Sequence, residues 1–298
     1  MSEEPVNAES LIQSIETSRP VLIAGPTASG KSELAMRIAE RLGGPVVNAD
    51  ALQVYADWRV LTARPTPEDE AALPHHLFGH IAGDRSYSVG DWLREVAPLL
   101  HGAPPVIVGG TGLYFTALTE GLAEIPPTPD RIRTEALARI GAEGAEALLP
   151  ELDDLTAGRI DRANPMRIQR AWEVLASTGR GLAEWQDETG PPLLPIAEAQ
   201  PLVLDAPKDW LNPRIERRFD WMLVGGALEE ALANEPSWHP DLPSAKAIGA
   251  AELIAYVRGE MTLDDVRKAV AILTRHYAKR QRSWFRARMT GWRRVDVT

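Results

Sequence analysis

The run VLIAGPTASGKS, Val21 to Ser32, limits the fold more than any other stretch of the chain. Four apolar residues lead into a turn that fits G-x-x-x-x-G-K-[ST], and helical apolar spacing follows from Ser32 to Leu42. A strand, such a loop and a helix together make a phosphate-binding turn. Gly25 and Gly30 permit the tight wrap, backbone N–H groups and the helix N-terminus face the anion, and Lys31 adds a point charge. Pro26, Thr27, Ala28 and Ser29 fill the wrap, and Ser32 is placed to reach a Mg2+ ion bridging phosphate oxygens. The loop does not name its ligand, because a diphosphate on any carrier satisfies the same donors.

Two further short runs resemble the first. GPVVNAD, Gly44 to Asp50, reads as a strand ending on a carboxylate, and PPVIVGGTGLYF, Pro104 to Phe115, as one ending in a Gly-Gly-Thr-Gly turn. Continuous Val/Ile runs point to parallel strands covered on both faces, hence an α/β, doubly wound sheet. Ligands of such sheets lie beyond the carboxyl ends of the strands, where all three turns fall. Asp50 there serves a metal, acts as a general base, or simply caps its turn. Thr111 brings a hydroxyl to the same edge.

The stretch 121–195 is punctuated by IPPTPD and GPPLLP and is rich in Ala, Leu, Glu and Arg between them. It reads as a helical insertion dividing an α/β core of 1–120 and 196–298. PLVLDAP, Pro201 to Pro207, is one more apolar run, after which the pattern is helical. Asn212-Pro213 reads as a helix start and Thr262 to Asp265 as a capping signal before the last long helix.

Composition excludes some classes. The 298 residues contain no cysteine, so neither disulfides nor thiolate metal sites exist, which suits a reducing compartment. The opening MSEEPVNAES lacks a signal-peptide pattern and no apolar run spans a bilayer, so a cytoplasmic protein with no membrane partner is expected. No dimer stripe is evident, and a monomer is expected. A net charge of −10 argues against nucleic acid, but Arg275 to Arg294 holds eight Lys/Arg and no acid, leaving 24 basic residues against 42 acidic ones elsewhere. Such a stripe is a local footprint for phosphates. Trp284 and Trp292 inside it read as core packing rather than base stacking. His75, His76 and His80 invite a zinc reading that finds no third and fourth ligand.

GPTASGKS, DALQVY and VGGTGLY, in that order, resemble the tRNA dimethylallyltransferases. LTARP, PHHL, NPMRIQRAWEV, STGRGLAEWQ, RIERRF and AKRQRSWFR extend the resemblance along nearly the whole chain. It implies a P-loop NTPase-like parallel sheet with a helical insertion and helical C-terminus, and a loop that holds dimethylallyl diphosphate rather than ATP. It further implies Mg2+-assisted transfer of the prenyl group to N6 of adenosine 37, beside the anticodon. Asp50 would be the general base, Thr111 would contact the target nucleotide, and Arg218 would contact the diphosphate, with Arg214 left open. Asp50, Ala51, Leu52 and Gln53, then Thr111, Arg133, and Met166, Arg167, Ile168, Gln169 and Arg170 are implied to meet the tRNA anticodon stem-loop.

The chain departs from the family pattern at Asp57, Arg59 and Leu61, at Ala183, and at Ala250 and Ala251, so the family's contacts are not carried over to those positions. Three other readings share some features. These are a P-loop kinase or NTPase using ATP, a prenyl transferase acting on free AMP, and a non-catalytic RNA-binding scaffold. The first gives the basic stripe no task and the second needs neither stripe nor insertion. The third leaves intact Asp50, Lys31 and Arg218 unexplained.

Overall fold

The structure is a computed structural model that describes residues 8–297, so most of the opening stretch read for targeting lies outside the described residues. Six strands form one sheet: β1 (Val21–Ala24), β2 (Val46–Asn48), β3 (His75–His76), β4 (Val106–Gly109), β5 (Gln200–Asp205) and β6 (Arg293–Asp296). Their order is β3-β2-β4-β1-β5-β6 and every pairing is parallel. Parallel neighbours need crossovers, and helices supply them: Lys31–Leu42 after β1, Val89–Val96 before β4, and Leu263–Arg288 before β6.

The continuous apolar runs follow from burial on two sides. Leu22 and Ala24 pack with Val47, Ile107 and Val203 into one core, which also takes in Trp92, Phe115 and Trp292. Val21 and Ile23 face the opposite way, onto Ile38 and Ala39 of the helix after the loop. Each fully buried Leu or Ile contributes about 1.5–3 kcal/mol. Register then fixes the working edge. Ala24 pairs with Gly109 and Asn48 with Val108, so the chain leaves β1, β4 and β2 side by side.

Several expectations are corrected. The strands are shorter than the runs suggested, and Asp50 lies two residues past the end of β2 rather than on it. β3 and β6 were not anticipated, since a histidine pair and an arginine-rich tail carry no apolar run. The helix expected at Asn212 begins at Lys208 and runs to Val224 with Pro213 inside it. Burial of Leu211 against Ala206, Ile215 and Ala278 holds the extra turn, outweighing the local start signal. Thr262 does cap the last helix, accepting the Asp265 N–H at 3.2 Å.

The chain divides into two compact units, one made of residues up to Thr119 with Leu193 onward, the other of Glu120–Pro192. The second unit is helical and has a core of its own, with Ile132, Ala136, Leu148, Ile168 and Trp172. Asn164 caps its helix Pro165–Thr178 by accepting the Met166 and Arg167 N–H groups. No helix among the described residues is long and apolar enough to cross a membrane.

Candidate active site

The loop is built as its sequence demands. Gly30 adopts φ +87° as the cap of Lys31–Leu42, a conformation glycine takes without steric cost. Ala28 is also left-handed, at φ +64°, and has a side chain that resists it. Two arginines of helix Lys208–Val224 hold the loop. Arg214 Nε donates to the Ala28 carbonyl at 3.0 Å while its guanidinium lies over Trp210, and Arg218 Nη1 donates to Thr27 Oγ1 at 2.9 Å. Arg214, left open by sequence, is therefore a support of the loop backbone.

The carboxylate side is equally constrained. Buried Asn48 accepts the Asp50 N–H at 2.8 Å and donates to the Asp50 and Leu77 carbonyls, and its own carbonyl accepts Trp92 Nε1. Asp50 Oδ1 accepts the Leu52 N–H at 3.0 Å. Thr111 Oγ1 accepts the Ala51 N–H at 3.0 Å, and the Thr111 N–H donates to the Ala49 carbonyl. A Cβ on Gly109 would lie 2.0 Å from that same carbonyl, so no larger residue lets the two strand ends approach. The structure thus brings Asp50 and Thr111 together, as the sequence implied.

One cavity joins these parts: Thr27, Lys31, Asp50, Arg218 and Tyr277 line it with polar groups, and Leu61, Phe219, Met222, Ile248 and Val270, which pack in a single core cluster, give it an apolar wall. Burial pushes the Lys31 ammonium down to about 8, opposed by Asp50 and reinforced by Arg218. Burial also lowers Arg218, again opposed by Asp50. Two cations share one carboxylate in a low-dielectric cleft, an arrangement that favours an added anion. Burial, then Asp50, raises the Tyr277 hydroxyl. Cations, a carboxylate and an apolar wall in one cavity suit a ligand that is a short hydrocarbon on a phosphate group.

In the helical unit, Arg170 Nη1 donates to Thr128 Oγ1 at 2.7 Å and lies near enough to Arg133 for their charges to oppose. Met166 and Arg167 are exposed, and Gln169 Nε2 donates to buried Glu173 at 2.8 Å. Ile168 is a correction: it is fully buried, and its side chain serves the core of this unit rather than a nucleic acid. Helical periodicity explains it, because five consecutive residues cannot all face one partner.

The model of the IPP transferase family matches residues 53–288, and that of isopentenyl transferases matches residues 19–74. A tRNA dimethylallyltransferase of Cereibacter sphaeroides is 58% identical over 294 residues, which are 98% of this chain and 94% of the relative. One from Dinoroseobacter shibae is 61% identical over 283 residues, 94% of this chain and 96% of that one. The chain belongs to the tRNA dimethylallyltransferase family. The solved tRNA isopentenylpyrophosphate transferase of Bacillus halodurans is 31% identical, with TM-score 0.66 over 94% of this chain and 90% of its own. A eukaryotic dimethylallyltransferase acting on tRNA shares the fold, with TM-score 0.80 at 24% identity over 94% of this chain and 74% of its own.

Within this family member, sequence reasoning missed Thr274, Tyr277 and Gln281, which helix Leu263–Arg288 presents to the site one turn apart. Their spacing of three and four residues inside a basic run was the available signal. The departures from the family pattern are satisfied inside the chain. Asp57 accepts Ser244 Oγ at 2.8 Å, Arg59 pairs with Glu70 at 2.6 Å, and Ala183 and Ala250 are buried. Leu61 alone among them lines the cavity. Trp284 lies against Gly112, and Trp292 is buried edge-on to Phe115. His75 bonds the Leu73 carbonyl and His80 bonds Glu95, and no three-residue His/Asp/Glu metal cluster exists among the described residues.

Proposed function

We propose that this enzyme transfers a dimethylallyl group from dimethylallyl diphosphate to N6 of adenosine 37 in tRNA, beside the anticodon, releasing diphosphate. The observation that carries the reading is one cavity in which Lys31, Arg218 and Asp50 share space with an apolar wall. ATP has no hydrocarbon chain to cover the apolar wall.

In this reading the loop amides, Lys31 and Arg218 take the diphosphate, and the apolar wall takes the five-carbon chain. Adenosine leaves its stack to reach the cleft, as base-modifying chemistry requires. As N6 forms its bond to the allylic carbon, the C–O bond breaks and the electron pair leaves with diphosphate. Asp50 accepts the proton that N6 loses, a role worth roughly 10²–10⁴ in rate. Thr111, fixed by the Ala51 N–H, orients the acceptor. Charge gathering on the leaving group is met by Lys31, Arg218 and the loop.

The donor set suits Mg2+ carried in on phosphate. Ser32 offers an exposed hydroxyl at the helix start that would hold the ion together with substrate oxygens and water. When bound, Mg2+ supplies positive charge beside the departing diphosphate. Arg133, Arg167 and Arg170 of the helical unit, and the exposed Lys279, Arg280, Arg286 and Arg288, would meet backbone phosphates. The enzyme would act as a cytoplasmic monomer.

The test is transfer of labelled dimethylallyl diphosphate, with Mg2+, to an anticodon stem-loop, to AMP, or to no acceptor. Label in the stem-loop alone is expected. Label in AMP alone, or brisk ATP turnover with no prenyl transfer, would overturn the reading.

A further inference from the structure

Helix Leu263–Arg288 carries most of the basic stripe, yet Gln281 faces away from solvent. It is 5% exposed, and both halves of its amide are used. Oε1 accepts the Thr27 N–H at 2.9 Å, and Nε2 donates to the Gly110 carbonyl at 3.0 Å. Thr27 is in the phosphate loop and carries the hydroxyl that Arg218 grips. Gly110 precedes Thr111 in the turn that faces Asp50. The approach is close: a Cβ on Gly110 would lie 2.1 Å from Gln281 Nε2 and 3.1 Å from Asp50 Oδ2. The amide and the carboxylate therefore flank the same point of the turn.

We infer that Gln281 is a positioning residue that sets the separation between the donor loop and the acceptor turn. The inference rests on the proposed prenyl transfer and deepens it. Displacement at the allylic carbon needs N6 and that carbon about 3–3.5 Å apart and aligned, and a displacement of one ångström costs about a hundredfold in rate. The donor is referenced to the loop and the acceptor to Asp50 and Thr111. Besides the sheet itself, where the Gly25 N–H donates to the Gly109 carbonyl, the two segments are joined through one planar amide. Its rigidity fixes the spacing without touching either substrate. An apolar residue in its place strands a buried N–H on one side and a carbonyl on the other, and both segments relax.

The test compares wild type with Gln281→Leu and Gln281→Glu, using dimethylallyl diphosphate and an anticodon stem-loop. Gln281→Glu keeps the acceptor for Thr27 and loses the donor to Gly110, so it also serves if the leucine variant fails to fold. Expected are a 10- to 100-fold fall in kcat and a donor Kd, measured by calorimetry without RNA, within threefold of wild type. A kcat within twofold of wild type would overturn the inference. So would a donor Kd weakened by the same factor as kcat/KM, which marks support of the loop alone. Absence of transfer by the wild-type protein would instead strike the proposed function, so the two failures are separable.

Discussion

Lys31 sits where an ammonium is costly until an anion arrives, and this gives it a readable pH signature. In the free protein its value is about 8, against 10.5 for an ordinary lysine. Folding therefore disfavours the charged form, and from this group stability rises as pH climbs from about 8 towards 10.5. A bound diphosphate reverses the preference and restores the proton. Donor binding should thus weaken as pH rises above about 8, by up to tenfold per unit, with proton uptake visible by calorimetry in buffers of different ionisation enthalpy. A Kd that stays flat between pH 7.5 and 9.5 would contradict it. Asp50 gives a complementary case. Asp50→Asn should cut transfer by roughly 10²–10⁴ while the donor binds at least as tightly, since a negative charge has left the anion site. Near-wild-type transfer in single-turnover assays would remove Asp50 from the proton's path. Lys31, Asp50 and Thr111 were legible because each ends an apolar run at a glycine-rich or polar turn. Gln281 and Tyr277 were not, because their roles depend on which face of a helix turns inward, and a run of arginines hid that face.

Among elements, the inner strands were visible as Val/Ile runs because two cores clamp the sheet. β3 and β6 are edge strands, freed from that requirement, and their histidine and arginine content gave no strand signal. The helix starting at Lys208 shows the opposite conflict, in which tertiary burial of Leu211 outweighed a good local start at Asn212. The short helix Arg59–Thr62, at the departures from the family pattern, is held by a side chain far away in sequence. Glu230 accepts the N–H groups of Arg59, Val60 and Leu61, capping the whole first turn. Glu230→Ala should lower stability by about 1–3 kcal/mol and raise the donor KM, since Leu61 belongs to the apolar wall of the cavity. An unchanged urea midpoint together with an unchanged KM would show that the cap is dispensable.

For the whole molecule, the acidic average hides a division of labour. Cations exposed on helix Leu263–Arg288 and in the helical unit are placed on a chain of net charge −10 that otherwise repels nucleic acid. The second unit leaves and rejoins the first at a point where the Leu194 N–H donates to the Leu118 carbonyl at 3.1 Å, so the α/β unit closes on itself there. Replacing Glu120–Pro192 by a short Gly/Ser linker should leave a folded protein that binds dimethylallyl diphosphate and no longer modifies a stem-loop. Modification at wild-type efficiency would remove the helical unit from RNA recognition. The central claim, that the loop cradles the diphosphate of a prenyl donor, is met most directly by stoichiometry in a single turnover. With enzyme in excess over stem-loop, one diphosphate released per N6-prenylated adenosine is predicted, with ATP unable to substitute for the donor or to compete at equal concentration. Diphosphate release without a prenylated adenosine, or ATP displacing the donor from the loop, would contradict it.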